Sequence, residues 1–175
     1  MGILRTLTDE YFDEIKRSEE KIISNIGSMR FLDLGGSVLW SDRNLVIENH
    51  PKRNLKYKEK FLFEEICDIK FDNKLRIPTV EEFCELNNVE KTIYKETKTS
   101  VPDIVFIKDG DWDNSLWFNV RAGMTPECKL FTSDENGKYV NVVCLDFLLY
   151  NKNKPISINL YYKDLYFEVR LVKDK

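Results

Sequence analysis

Arg76-Ile77-Pro78-Thr79-Val80-Glu81-Glu82-Phe83-Cys84-Glu85-Leu86 is the stretch on which the reading of this chain turns. Thr79 stands where a helix N-cap belongs, and Glu82 follows three residues later. That spacing is a capping box, in which each side chain takes a backbone N–H at the start of the helix. Pro78 lies just outside and keeps Ile77 extended. Val80, Phe83 and Leu86 then fall on one face and form a stripe to be buried. The spacing predicts a short helix that ends near Asn87-Asn88.

Upstream, Phe31, Leu34, Val38, Leu39 and Trp40 flank Gly35-Gly36 and predict a strand, a turn and a second strand. Residues 49–60 are polar and basic and read as an exposed loop, with His50, Lys52, Arg53 and Tyr57 open to an acidic partner. Residues 61–70 read as a short helix or strand. Residues 8–26 read as an amphipathic helix, capped by Thr8 or Asp9, with Tyr11, Ile15, Ile22 and Ile26 near one face and Gly27 as a C-cap. A helix of this kind either lies on its own domain or serves as a docking or oligomerisation arm. The expected division is therefore 1–27 as an arm and 28–175 as the domain.

Downstream, the pattern turns to strands: 104–107, 116–118, 130–131, 139–143, 147–150, 156–162 and 166–172. Asp109-Gly110, Asn136-Gly137 and the 151–155 segment punctuate them. Asn136-Gly137 signals a hairpin turn. Tyr166 to Val172 alternates as a half-buried strand does.

At 175 residues the chain suits one ordinary domain with an appendage. Its 42% hydrophobic and 33% charged residues are a globular composition. Basic residues are spread along the chain among acidic ones, and the net charge is −3, so no face is set aside for phosphates and nucleic acid is not an expected partner. The run MGILRTLTDEYFDE lacks the apolar core of a secretory leader, and no stretch has the length of a membrane span. Cys67, Cys84, Cys128 and Cys144 include no CxxC pair and read as buried, reduced thiols. The Lys-, Asn- and Ile-rich usage is that of an AT-rich genome.

The order of these signatures resembles the major paralogous domain family first noted in fibrobacter, related to the formylglycine-generating sulfatase-modifying enzymes. Phe31 to Leu45, with its Asp-Leu-Gly-Gly-Ser-Val-Leu-Trp centre, is similar to the family's opening. Leu75 to Leu86 is similar to its Arg-Leu-Pro-Thr-x-x-Glu-Phe helix. Trp117 to Gly123 resembles its central apolar strand, and Phe167 to Val172 its closing Phe-Ser-Val-Arg strand. The likeness spans roughly residues 31–173. It departs at Asn119-Val120-Arg121-Ala122-Gly123 and at Leu130-Phe131-Thr132-Ser133. The resemblance implies an α+β, C-type-lectin-like domain with small antiparallel sheets and long loops, preceded here by the N-terminal amphipathic helix.

The sulfatase-modifying enzymes use closely placed cysteines near the C-terminus, and this sequence has no such pair after Cys144. His50, the single histidine, has no nucleophile motif around it. No glycine-rich phosphate loop is present. Asp109, Asp111 and Asp113 alternate as calcium ligands do, but the sixth position is Asn114 and the twelfth Val120, so an acidic turn is the better reading and no metal or cofactor is expected. Trp112 sits among these carboxylates, as either a folded-back core residue or an exposed contact. Trp112, Asp111, Asp113 and Asn114 are the candidate partner-binding residues, and no catalytic residue is assigned.

Function in such folds lives in the loops. The expectation is a non-enzymatic structural or binding module, a phage virion component made in the host cytoplasm. The arm would dock to other virion proteins or to further copies of the chain, and the domain would decorate the particle or bind a receptor or glycan. The alternative is a cytoplasmic bacterial domain of the same family that binds a protein or glycan.

Overall fold

The computed structural model describes residues 26–50, 55–69, 71, 74–94, 103–119, 127–146 and 155–175. Residues 8–25 of the helix expected over 8–26, and the strand expected over 147–150, lie outside them.

Asp33 and Gly35 set the first turn. The Asp33 carboxylate accepts the Gly35 N–H at 2.8 Å, and Gly35 takes a φ of +89°, a conformation that favours glycine. Phe31–Leu32 (β1) is thereby folded back on Val38–Asn44 (β2), with Leu32 opposite Trp40. Gly36 serves a different need. A Cβ there would run into the Glu85 carboxylate, which accepts both the Ser37 N–H at 2.7 Å and the Ser37 hydroxyl at 3.0 Å. The Gly-Gly-Ser turn is thus a seat for the end of the helix that follows Thr79.

That helix, Val80–Glu85 (α2), starts as the capping box predicts. The Glu82 N–H donates to the Thr79 hydroxyl at 3.2 Å, and the Thr79 N–H donates to the Glu82 carboxylate at 2.8 Å. A 3₁₀ turn, Leu86–Asn88, ends it. Phe83 and Leu86 are buried and Val80 only half-buried. A shorter helix, Phe63–Cys67 (α1), buries Phe63 and Ile66.

Arg170–Asp174 (β12) joins segments far apart in sequence. It pairs antiparallel with β2 on one side and with Leu75–Arg76 (β5) on the other, giving the sheet order β1-β2-β12-β5. The β2–β12 register shifts between Arg170 and Val172, and the Ser41 hydroxyl accepts the Leu171 N–H at 3.1 Å within that irregularity. Glu127–Asn136 (β9), Tyr139–Asp146 (β10) and Ile156–Tyr162 (β11) form a second sheet in the order β11-β10-β9. The β9–β10 turn is Gly137-Lys138, one residue later than the Asn136-Gly137 signal. Gly137, at φ +58°, fills the first central position, where a II′ turn requires glycine. Glu90–Tyr94 (β6), Asp103–Ile107 (β7) and Leu116–Asn119 (β8) form a third sheet in sequence order.

β9 and β10 are buried on both faces. Leu130, Val143 and Leu145 join Trp40, Phe83, Phe106 and Phe118 in one cluster. Phe131, Val142 and Cys144 join Phe61, Phe63, Phe167 and Leu171 in the other. A strand between two cores needs apolar residues on both sides of its pleat, hence the unbroken run Val142-Val143-Cys144-Leu145.

Several expectations are corrected. The 49–60 loop contains a hairpin, Ile47–His50 (β3) with Leu55–Lys58 (β4), because a two-stranded ribbon pairs through its backbone and its charged sequence hides it. Residues 166–172 are not one half-buried strand. Phe167 and Glu168 make only isolated bridges, to Phe61 and Leu130, and every residue from Phe167 to Val172 is buried. The thiols are not uniformly inside: Cys128 and Cys144 are buried, but Cys84 is half-buried and Cys67, at the end of α1, is exposed. No helix among the described residues is long and apolar enough to cross a membrane.

Candidate binding surface around Trp112

The connection between β7 and β8 holds the candidate residues. The Asp111 N–H closes its first turn on the Lys108 carbonyl at 2.9 Å, and Asp109 and Gly110 inside that turn take φ of +53° and +75°. Asp is among the few side chains that tolerate such a φ. Asp111 then organises the next turn. One carboxylate oxygen accepts the Asp113 N–H at 3.1 Å and the Asn114 N–H at 3.2 Å, and the other accepts the Asn114 side-chain amide at 2.6 Å. The bond from the Asn114 side chain, helped by the two backbone donors, holds the Asp111 carboxyl below its ordinary range. Both oxygens of Asp111 are engaged within the loop. No group of three or more His, Cys, Asp or Glu side chains is gathered for a metal among the described residues.

The outcome for Trp112 is exposure. Its relative accessibility is 52%, so it is not folded back into the core. Its carbonyl accepts the Ser115 hydroxyl at 2.7 Å, and the Ser115 oxygen accepts the Trp117 indole N–H at 2.7 Å. The Trp112 and Trp117 rings lie 6.4 Å apart, and Trp117 meets Tyr94 edge-on at 4.9 Å. Tyr94, at the end of β6, is 42% exposed. Three aromatic rings from β6, the loop and β8 thus run together across the surface. Asp109, Asp113 and Asn114 are exposed beside them.

Sequence reasoning found Trp112 and missed the other two rings. The signal for Trp117 was there: Leu116 and Phe118 point into the core, so strict alternation turns Trp117 outward. Tyr94 sits in a polar strand with no apolar period, and nothing local marks it.

Arg170 anchors the platform from beneath. Its guanidinium is buried, 4.5 Å from the Phe118 ring, and donates to the Trp117 carbonyl at 2.7 Å and the Ser41 carbonyl at 3.0 Å. Burial pulls its pKa down to about 10. Nearby, Glu168 accepts the Asn44 amide at 2.6 Å and the Cys128 thiol at 3.5 Å. Arg170 therefore clamps β2 to β8 and fixes the strand that carries Trp117.

Of the residues expected to form the docking helix, Tyr11, Ile15 and Ile22 lie outside the described residues. Ile26 is half-buried against the second core cluster.

No protein family, curated protein or solved structure matches the chain. The candidate surface therefore rests on its own geometry.

Proposed function

We propose that the chain is a non-enzymatic binding module of C-type-lectin-like architecture that engages its partner through the Tyr94–Trp117–Trp112 surface. The observation that carries this is a half-exposed tryptophan in a hydrogen-bonded turn, its ring tilted 6.4 Å from that of Trp117, which in turn meets Tyr94 edge-on. Large aromatics presented on a rigid support bind with little loss of side-chain freedom, and such residues dominate interface energetics. The architecture is supported by the placement of the segments that carry the family resemblance. Those around Trp40, Arg76 and Val172 lie side by side in one sheet, and the fourth is tied to them through the Arg170–Trp117 bond.

The partner chemistry follows from charge. Asp109 and Asp113 are exposed next to the rings and make no ion pair among the described residues. Ring faces beside free carboxylates suit Lys or Arg side chains of a protein partner. In the setting we favour, that partner belongs to a phage particle or its receptor, and residues 1–27 form the arm that attaches the module. A bacterial domain of the same architecture is the alternative setting.

The test is a titration of the full chain with arginine- and lysine-rich peptides, with uncharged peptides and a glycan array alongside. Saturable binding of the basic peptides, lost in Trp112→Ala, is the expected result. Binding that survives Trp112→Ala, or no binding, overturns the assignment, and glycan binding alone replaces the partner class. Detection of the chain by mass spectrometry in purified particles tests the virion setting.

A further inference from the structure

A second surface lies on β11, away from the Trp112 loop. Its sequence, Ile156-Ser157-Ile158-Asn159-Leu160-Tyr161-Tyr162, contains no charge and no proline in a chain where one residue in three is charged. It pairs with β10 in unbroken register from Tyr139–Tyr162 to Leu145–Ile156, and its other edge has no strand partner among the described residues. Ile158, Leu160 and Tyr162 alternate onto one face and are 41%, 54% and 48% exposed, with Leu165 at 43% just beyond. Native edge strands are normally blunted by charge, proline, a bulge or a cover. β11 has neither charge nor proline, and its pairing carries no bulge.

We infer that the free edge of β11 pairs antiparallel with β11 of a second copy of this chain, about a two-fold axis at Asn159. The strand is self-complementary in that register. Ile158 meets Leu160 of the second copy, Leu160 meets its Ile158, and Ser157 meets its Tyr161. A two-fold axis moved to residue 158 or 160 also sets apolar residues against each other on the exposed face, because the alternation has period two. The two three-stranded sheets become one of six strands, β9-β10-β11-β11-β10-β9, and the N–H and C=O groups on both edges that have no strand partner among the described residues gain one. A specific interface needs roughly 1,000 Å² of total buried surface, and toward it each copy brings its seven-residue strand with three half-exposed apolar side chains, and Leu165 just beyond. A second copy suits this edge better than a charged partner, because the strand offers no charge to match. The interface is isologous and closes at two copies, so it limits assembly to a dimer.

Sedimentation equilibrium of the full chain tests this. A dimer is expected, and Leu160→Lys should weaken it by more than tenfold, because the lysine faces the partner's Ile158. Ile158→Lys is the companion variant should the first fail to fold. Asn159→Cys gives a direct register test. Opposed Cα atoms in an antiparallel pair lie about 4.5–5.5 Å apart, within disulfide reach. Cys67 is exposed and the Asn159 amide lies 3.4 Å from the Cys144 sulfur, so the substitution is made in a Cys67→Ser, Cys144→Ala background, where mild oxidation should give a covalent dimer that the background alone does not form. A monomer at all concentrations, or a dimer indifferent to both lysine variants with no cross-link through the introduced thiol, overturns the inference.

Discussion

Replacing Glu82 with alanine strikes the point where α2, β5 and β12 meet. The Glu82 carboxylate accepts the Thr79 N–H at 2.8 Å and two Arg76 donors at 2.8 and 2.5 Å, and Arg76 also reaches Asp174 at 2.9 Å. Loss of the return half of the capping box costs about 1 kcal/mol. Hydrogen bonds to a charged partner contribute about 1.5–3 kcal/mol each when shielded. The Arg76 side chain is 38% exposed and can turn to water, so the pair is discounted to roughly 2 kcal/mol. The expected total is about 3 kcal/mol, a large share of the roughly 5–15 kcal/mol that holds a domain together. Urea denaturation followed by tryptophan fluorescence measures it, since Trp40 is buried 4.9 Å from Phe83.

The same carboxyl supplies a pH signature. Burial pushes its pKa up, but the Arg76 and Thr79 hydrogen bonds outweigh burial and hold it below its ordinary value. The folded state is then favoured by ionisation. The contribution of Glu82 is fully present above pH 4.5, its unperturbed value, and is lost as pH falls below that through the folded-state pKa. The gap between the parent protein and Glu82→Gln should therefore narrow from pH 6 to pH 3. An alanine variant within about 0.5 kcal/mol of the parent, or a gap that does not change with pH, refutes the reasoning.

Thr79→Ala should cost about 1 kcal/mol in the same assay, through loss of one cap bond. Gly36→Ala should cost about 1 kcal/mol, because the new methyl displaces the Glu85 carboxylate from Ser37. The double variant with Glu85→Ala should be no worse than Glu85→Ala alone. Arg170→Met should cost at least about 2 kcal/mol, since the Trp117 and Ser41 carbonyls lose a buried donor, and a variant as stable as the parent would refute the clamp. Trp112→Ala, a surface change, should move stability by less than about 0.5 kcal/mol.

Short-range chemistry was the most legible part of the sequence. Thr79 and Glu82 announce their helix because both ends of the capping box lie three residues apart, and Gly35-Gly36 announces its turn for a similar local reason. The hairpin over 47–58 and strand β6 were not legible, since backbone pairing across polar residues leaves no apolar period. Arg170 shows a third case. On the page it is a charged residue in an alternating strand and reads as outward-facing. Its burial depends on carbonyls at Ser41 and Trp117, 129 and 53 residues away. Trp112 could be assigned to the candidate surface only as one of two alternatives, because local sequence does not say whether a loop ring folds back. Tyr94 needed the sheet to bring it to Trp117.

The central position of β12 also bears on how the protein is made. Residues 170–174 complete a sheet whose other strands, β1, β2 and β5, emerge from the ribosome long before them. Until the last of these residues clears the exit tunnel, Trp40, Val38 and Leu32 have no strand to close against, and Arg170 cannot reach its carbonyls. Contacts of such long sequence separation form slowly, and apolar strands left waiting for their partner are prone to associate with one another. The sheet should therefore close only once residues 170–174 are free to pair, and the yield of the domain in a cell should respond more to chaperone supply and translation speed than its native stability would suggest.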